Sequence, residues 1–126
     1  MKSILVDTDV LINFLRGREN AREFLASSIG DADLCCSAIT VAEIHAGMNE
    51  HERERTMELL DSLTVVEVTR AIAEKAGSYK RTNRTHGLAL DDCIIAATAN
   101  VKHSVLATGN DKHYPMADVK KTVVGG

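Results

Sequence analysis

The chain has 126 residues and a formal charge of −3, from 15 basic and 18 acidic side chains, which excludes both a global basic surface for polyanions and a disordered acidic tail. Apolar residues make up 44% but aromatics only 3%, with no Trp, so Leu, Ile, Val and Ala must build the core, which favours layered helices on a sheet over an aromatic platform that stacks RNA bases. One domain over residues 1–126 suits this length, and no segment is a candidate to span a membrane.

Cys35, Cys36 and Cys93 cannot pair evenly and show no CxxC spacing, as expected of reduced thiols in a cytoplasmic protein. Met1-Lys2-Ser3 leads at once into a short strand-like run, which argues against a signal peptide.

Ile4–Val6 reads as a first buried strand, and two carboxylates, Asp7 and Asp9, stand where it ends. Thr8 or Asp9 is positioned to cap a helix that turns Val10, Leu11, Phe14 and Leu15 inward, and Gly17 stops it. A second helix over Glu19–Ser28 presents Ala21, Phe24, Leu25 and Ile29 on one face. Leu34–Cys36 is a second strand running into a helix that begins near Ser37, with Ile39, Ala42 and Ala46 available to pack.

Glu50–Leu63 reads as an amphipathic helix with Met57, Leu59, Leu60 and Leu63 on its apolar face and an exposed Glu52–Arg55 pair. Val65–Val68 is a third strand, expected nearer an edge. Thr69 caps a helix from Arg70 to about Arg84, with Ile72, Ala73, Ala76 and Tyr79 inward. Asp91–Ala99 opens a small, apolar helix, Ser104–Thr108 is a fourth strand, and Val119–Val124 forms a last short edge strand. Strands alternating with helices predict an α/β fold, a mostly parallel sheet covered on both faces.

Three acids stand out by position: Asp7 at the end of strand one, Glu43 in the helix after strand two, and Asp92 at the start of a late helix. Ligands in open parallel sheets bind beyond the carboxyl ends of the strands. The Asp92 helix feeds into a strand, so its start falls at the opposite end if it crosses the full sheet. Each acid also has an ordinary explanation. Asp7 reads as an Asx turn, Thr40-Val41-Ala42-Glu43 as a capping box, and Asp91-Asp92 as a cap with a first-turn acid.

Set beside apolar residues, however, such charges call for partners or a metal. Converging carboxylates suit a hard divalent cation such as magnesium, which in turn suits phosphodiester hydrolysis. No Cys or His cluster competes for a softer metal, and His45, His51, His86, His103 and His113 read as scattered surface residues. No phosphate-binding glycine loop and no serine-hydrolase elbow is present.

Val6-Asp7-Thr8-Asp9-Val10-Leu11-Ile12, Ser37 through Ala42-Glu43, Leu90-Asp91-Asp92-Cys93-Ile94-Ile95-Ala96-Ala97-Thr98-Ala99 and Leu106-Ala107-Thr108-Gly109-Asn110 with Lys112-His113-Tyr114 together resemble the PIN-domain nucleases. More narrowly, they resemble the VapC toxins of prokaryotic type II toxin–antitoxin pairs. The resemblance implies a three-layer α/β/α sandwich with an acidic pocket reached by the start of the helix that carries the third acid, and a Mg2+- or Mn2+-dependent endoribonuclease leaving a 5′-phosphate and a 3′-hydroxyl. It also implies a cognate VapB-like antitoxin that covers the pocket with a basic side chain, and a homodimer.

Asp7, Glu43 and Asp92 match the family's metal-binding acids, and Asp91 is left to cap the helix. At the fourth position stands Asn110, with Asp111 beside it, either one a supporting residue. Asp9, Asn13 and Thr108 are expected to orient the acids by hydrogen bonds. Arg70, Lys75, Lys80, Arg81 and Arg84 face one acid, Glu74. Within this stretch Lys80, Arg81 and Arg84 are candidates for the RNA backbone, though a solvated helix end explains them equally.

The alternative from another class is a non-catalytic acidic-pocket domain, either a degenerate RNA-binding PIN domain or a receiver-like phosphoacceptor. A receiver needs an acid ending a central strand and a Lys after a later one. Here the acid ends the first strand, and no Lys directly follows Ala107-Thr108-Gly109.

Overall fold

The structure, a computed structural model, describes residues 2–125. The two ends of the 1–126 assignment, Met1 and Gly126, lie outside the described residues.

Five strands pair in the order β3-β2-β1-β4-β5, all parallel: β1 (Lys2–Val6), β2 (Ala32–Ser37), β3 (Thr64–Val66), β4 (Val105–Thr108) and β5 (Lys121–Val123). Six α-helices surround them: α1 (Thr8–Leu15), α2 (Glu19–Ser28), α3 (Ala38–Gly47), α4 (Arg53–Asp61), α5 (Arg70–Thr82) and α6 (Leu90–Val101). Among the described residues, no helix is long and apolar enough to cross a membrane.

The alternation of side chains along each strand divides the interior into two cores. Leu5, Cys35 and Leu106 point to the face covered by α5 and α6, where Ile72, Ala76, Tyr79, Cys93 and Ala96 pack. Ile4, Val6, Cys36 and Ala107 point to the other face, against Val10, Leu11, Leu25, Ile44 and Leu60 of α1 to α4. The result is the expected three-layer sandwich. All three cysteines are free and buried.

Chain direction along the sheet reverses at its centre: β2 and β3 extend from one side of β1, β4 and β5 from the other. Asp7 leaves β1 and Thr108 ends β4 at this switch point, where open α/β sheets bind their ligands. The Asp7 amide still donates to the Ala107 carbonyl at 2.9 Å, which fixes both strand ends side by side. The first strand in sequence is thus the central strand in space, so its place in the chain does not argue against a receiver. The missing Lys after β4 still does.

Several local expectations are corrected. The α3 helix starts at Ala38 on a Ser37 cap, whose hydroxyl accepts from the Ile39 amide at 3.2 Å, so Thr40 lies inside its first turn rather than capping it. That phase buries Thr40 and Ile44 and leaves Ala42 and Ala46 exposed. Glu50–Leu63 is not one helix, because an Asn49–Glu52 capping box closes a separate turn ahead of α4. With Glu52 so occupied, Arg53 pairs with Glu50 at 2.8 Å and Arg55 donates to the Leu15 carbonyl at 2.9 Å.

Thr56 replaces Met57 on the buried face of α4, Ala73 of α5 faces solvent, and Ile29, past the end of α2, is 69% exposed. Asp7, not Thr8 or Asp9, caps α1. Arg84 lies beyond α5 in a short turn that Gly87 ends with a φ of +60°.

Candidate active site

The α6 helix ends where β4 begins and runs back against the sheet, while residues 83–89 return the chain from α5 to its start. The first turn of α6 therefore lies beside the carboxyl end of β1, not at the opposite end. There Asp92 meets Asp7 through a shared partner. The Tyr114 hydroxyl lies 2.9 Å from Asp7 Oδ2 and 3.3 Å from Asp92 Oδ1.

Asp7 is 4% exposed and is held on both oxygens. Its Oδ1 accepts from the Thr8 amide at 2.8 Å, and its Oδ2 accepts from Thr108 Oγ1 at 2.8 Å as well as from Tyr114. Glu43 comes from the facing helix, and its Oε1 accepts from Thr8 Oγ1 at 2.7 Å. The Glu of the apparent capping box thus reaches across to α1 instead of back to its own helix. Thr8 Oγ1 also stands 3.0 Å from Thr40 Oγ1.

Burial followed by the neighbouring Asp91 pushes the Glu43 carboxyl up to about 7. Burial and the adjacent charge of Asp91 likewise raise Asp92. Asp91 goes the other way, lowered chiefly by the neighbouring Glu43. Asp91 therefore belongs to the pocket, while Ala89 occupies the cap position of α6. His113 Nδ1 lies 3.2 Å from Asp92 Oδ2, so this histidine is not merely a surface residue.

The supporting residues divide. Asp9 Oδ2 accepts from the Gly109 amide at 3.0 Å and from Asn110 Nδ2 at 3.2 Å. Its Oδ1 is buried without a donor, and burial together with Asp7 raises Asp9 to about 6. Asn110 also donates its amide to Thr108 Oγ1 at 3.0 Å. Asn110 thus joins the network and Asp111 does not, because the Asp111 carboxylate pairs with Lys121 at 2.8 Å. Asn13, expected to orient an acid, makes no side-chain hydrogen bond among the described residues; its carbonyl accepts from the Arg18 amide at the turn after α1.

Lys80, Arg81 and Arg84 line a groove of about 430 Å³ with Gly87, Leu88 and Leu90. Leu90 opens α6, so the groove lies along the start of that helix. Arg70 and Lys75 take no part, being paired with Glu74 at 3.1 Å and Asp118 at 3.0 Å. Lys80 donates to the Leu88 carbonyl at 2.5 Å, leaving Arg81 and Arg84 as the cations of this stretch with neither an ion pair nor a side-chain hydrogen bond among the described residues.

The donor set is all oxygen and suits a hard cation. Among the described residues, no three His, Cys, Asp or Glu side chains stand close enough to enclose an ion as placed. The buried oxygen of Asp9 without a donor and the upward shifts of Glu43, Asp9 and Asp92 fit a pocket whose negative charge a cation would offset.

Residues 4–120 match the PIN domain model. The chain is 43% identical to Ribonuclease VapC10 of Mycobacterium tuberculosis over 120 residues, covering 94% of this chain and 90% of that protein. Among solved structures it is similar to a toxin–antitoxin complex from Klebsiella pneumoniae, with 27% identity, a TM-score of 0.78 and coverage of 92% and 94% of the two chains. It is also similar to FitAcB from Neisseria gonorrhoeae, with 30% identity, a TM-score of 0.78 and coverage of 94% and 95%. The chain is a VapC-like member of the PIN-domain family.

Proposed function

We propose that this chain is a divalent-metal-dependent endoribonuclease and the toxin of a VapBC-type pair, with Asp7, Glu43 and Asp92 holding Mg2+, or Mn2+ in its place. The observation that carries the reading is the convergence of acids from three separated segments on the switch point of the sheet, with Tyr114 touching Asp7 and Asp92. A relative named as a ribonuclease, and a similar solved structure described as a toxin–antitoxin complex, support the activity and an antitoxin partner. A homodimer remains part of the proposal through the resemblance alone.

A bound divalent ion would supply a nucleophilic water at neutral pH and stabilise charge on the phosphate. Asp7, with three of its four lone pairs occupied, would offer that ion one remaining site on Oδ1. Glu43, pushed up to about 7, would bind in its deprotonated form and release the proton it holds. Thr108 and Asn110 keep the β4 end in register with Asp7 and Asp9. Arg81 and Arg84 would guide the RNA backbone along the groove beside α6.

Purified protein is expected to cut RNA only with Mg2+ or Mn2+, and chelation should abolish cleavage. Asp7→Asn and Asp92→Asn should lower the rate at least about 100-fold while circular dichroism stays native. Folded variants that cut as well as the parent would sink the assignment.

A further inference from the structure

The turn after β4 supplies a residue that no metal-binding role accounts for. Tyr114 is fully buried and is the bulkiest side chain so enclosed. A buried phenol normally satisfies its hydroxyl with a single partner; this one is set between two carboxylates from opposite ends of the chain. It lies 2.9 Å from Asp7 Oδ2 and 3.3 Å from Asp92 Oδ1.

Its ring is held in place from three directions. Lys121 of β5 donates to the Tyr114 carbonyl at 2.6 Å, and the same ammonium pairs with Asp111 at 2.8 Å, so both ends of the turn are clamped. The Tyr114 amide donates to the Asp111 carbonyl at 3.0 Å. The ring itself packs in the core shared by Leu5, Leu106 and Met116. The hydroxyl cannot drift toward either acid without moving a clamped turn or a packed ring.

We infer that Tyr114 is a positioning residue whose hydroxyl sets the spacing of Asp7 and Asp92 and restricts Asp7 to one free lone pair for a divalent ion. The phenol and Thr108 together fill both lone pairs of Asp7 Oδ2, and the Thr8 amide fills one on Oδ1. Asp7 is thereby prevented from chelating through both oxygens. The phenol's one proton goes to Asp7, the nearer acceptor, and its oxygen stays 3.3 Å from Asp92 Oδ1, so it sets the gap between the acids without neutralising them. Phenylalanine would fill the same volume and lose only this function.

The inference rests on the metal-dependent reading above. It is tested by calorimetric titration of Mn2+ into the parent, Tyr114→Phe and Tyr79→Phe. Tyr79 serves as the control because its hydroxyl also bonds a carboxylate, Asp118 at 2.9 Å, away from the acids. Removing a hydrogen bond that orients a ligand typically costs about 10–100-fold in metal affinity. A loss of that size is expected in Tyr114→Phe, and none in Tyr79→Phe at comparable stability. Cleavage by Tyr114→Phe should recover as Mn2+ is raised, because affinity and not chemistry is impaired.

If Tyr114→Phe binds Mn2+ as tightly as the parent, the inference falls and the metal-dependent reading stands. If the parent itself binds no Mn2+, both fall.

Discussion

Glu43 on α3 and Asp91 on α6 stand close enough to shift each other's carboxyls in opposite directions. Glu43 is pushed up to about 7, by burial first and then by Asp91, whereas Asp91 is lowered, chiefly by Glu43. Of the two, Glu43 is the one whose protonated form is favoured. With Asp9 also raised to about 6, the pocket stays partly protonated where ordinary surface acids are fully ionised.

That arrangement makes the metal-free protein sensitive to pH in a defined direction. An acid whose pKa rises on folding adds stability that is complete below its unfolded pKa and disappears as pH climbs to its folded value. The window runs from 4.5 to about 7 for Glu43 and from 3.8 to about 6 for Asp9. Glu50, Glu52, Asp91 and Asp118 are shifted down and finish titrating below it. In chelator, the melting temperature should fall between about pH 5 and pH 7.5, Glu43→Gln should flatten that fall, and Mg2+ should reverse it. A melting temperature that climbs steadily through the window contradicts this.

Asp9→Asn should separate stability from activity. The native Asp9 carries a buried oxygen with no donor beside Asp7. An amide there removes the like-charge repulsion, keeps an acceptor for the Gly109 amide and offers a donor to Asp7. The metal-free variant is expected to melt higher than the parent, yet cleave roughly tenfold more slowly as the new donor competes with the ion. Scanning calorimetry and a cleavage assay decide it; lower stability together with unchanged cleavage counts against the account.

Gly109→Ala tests the seam between α1 and β4. A Cβ at Gly109 would lie 2.6 Å from Asp9 Oδ2 and 3.2 Å from the Val124 carbonyl. The first can turn away, at the cost of its bond to the Gly109 amide; the second is backbone. The expected loss is about 1–3 kcal/mol in denaturant unfolding, with weaker Mn2+ binding. An alanine variant as stable as the parent would show that the seam yields freely.

Arg81→Gln and Arg84→Gln should act on RNA binding alone. Both line the groove next to α6 and have no ion pair among the described residues. Removing one arginine–phosphate pair should reduce the slope of log affinity against log salt by about 0.7 for a single strand. KM is expected to rise several-fold with kcat unchanged. A fall in kcat at constant KM would assign these residues elsewhere.

Much of this architecture is legible in the residues. Short apolar runs such as Ile4–Val6 and Val105–Ala107 can be buried on both faces only as inner strands, and Asp7 at the end of the first marks one edge of the sheet. What stays hidden depends on neighbours distant in sequence. Thr40-Val41-Ala42-Glu43 satisfies a local capping rule, and only the approach of α1 reveals that Glu43 bonds Thr8. Asp91 looks like a cap until α3 brings Glu43 to it. Tyr114 sits in a loop rich in polar residues, where nothing local signals that its ring is buried and its hydroxyl is placed on two acids.

The span between Asp7 and its partners also bears on how the molecule is made. Thr108 lies 101 residues after Asp7, and Tyr114 lies 107 after it. During translation the first acid therefore emerges 101 and 107 residues ahead of the hydroxyls that fix it. Lys121, which clamps the turn carrying Tyr114, comes later still. A nascent chain stalled before Thr108 is therefore predicted to be inert toward RNA, including the ribosome and message that surround it. Cleavage by such stalled chains would show that the pocket assembles without its late-arriving half.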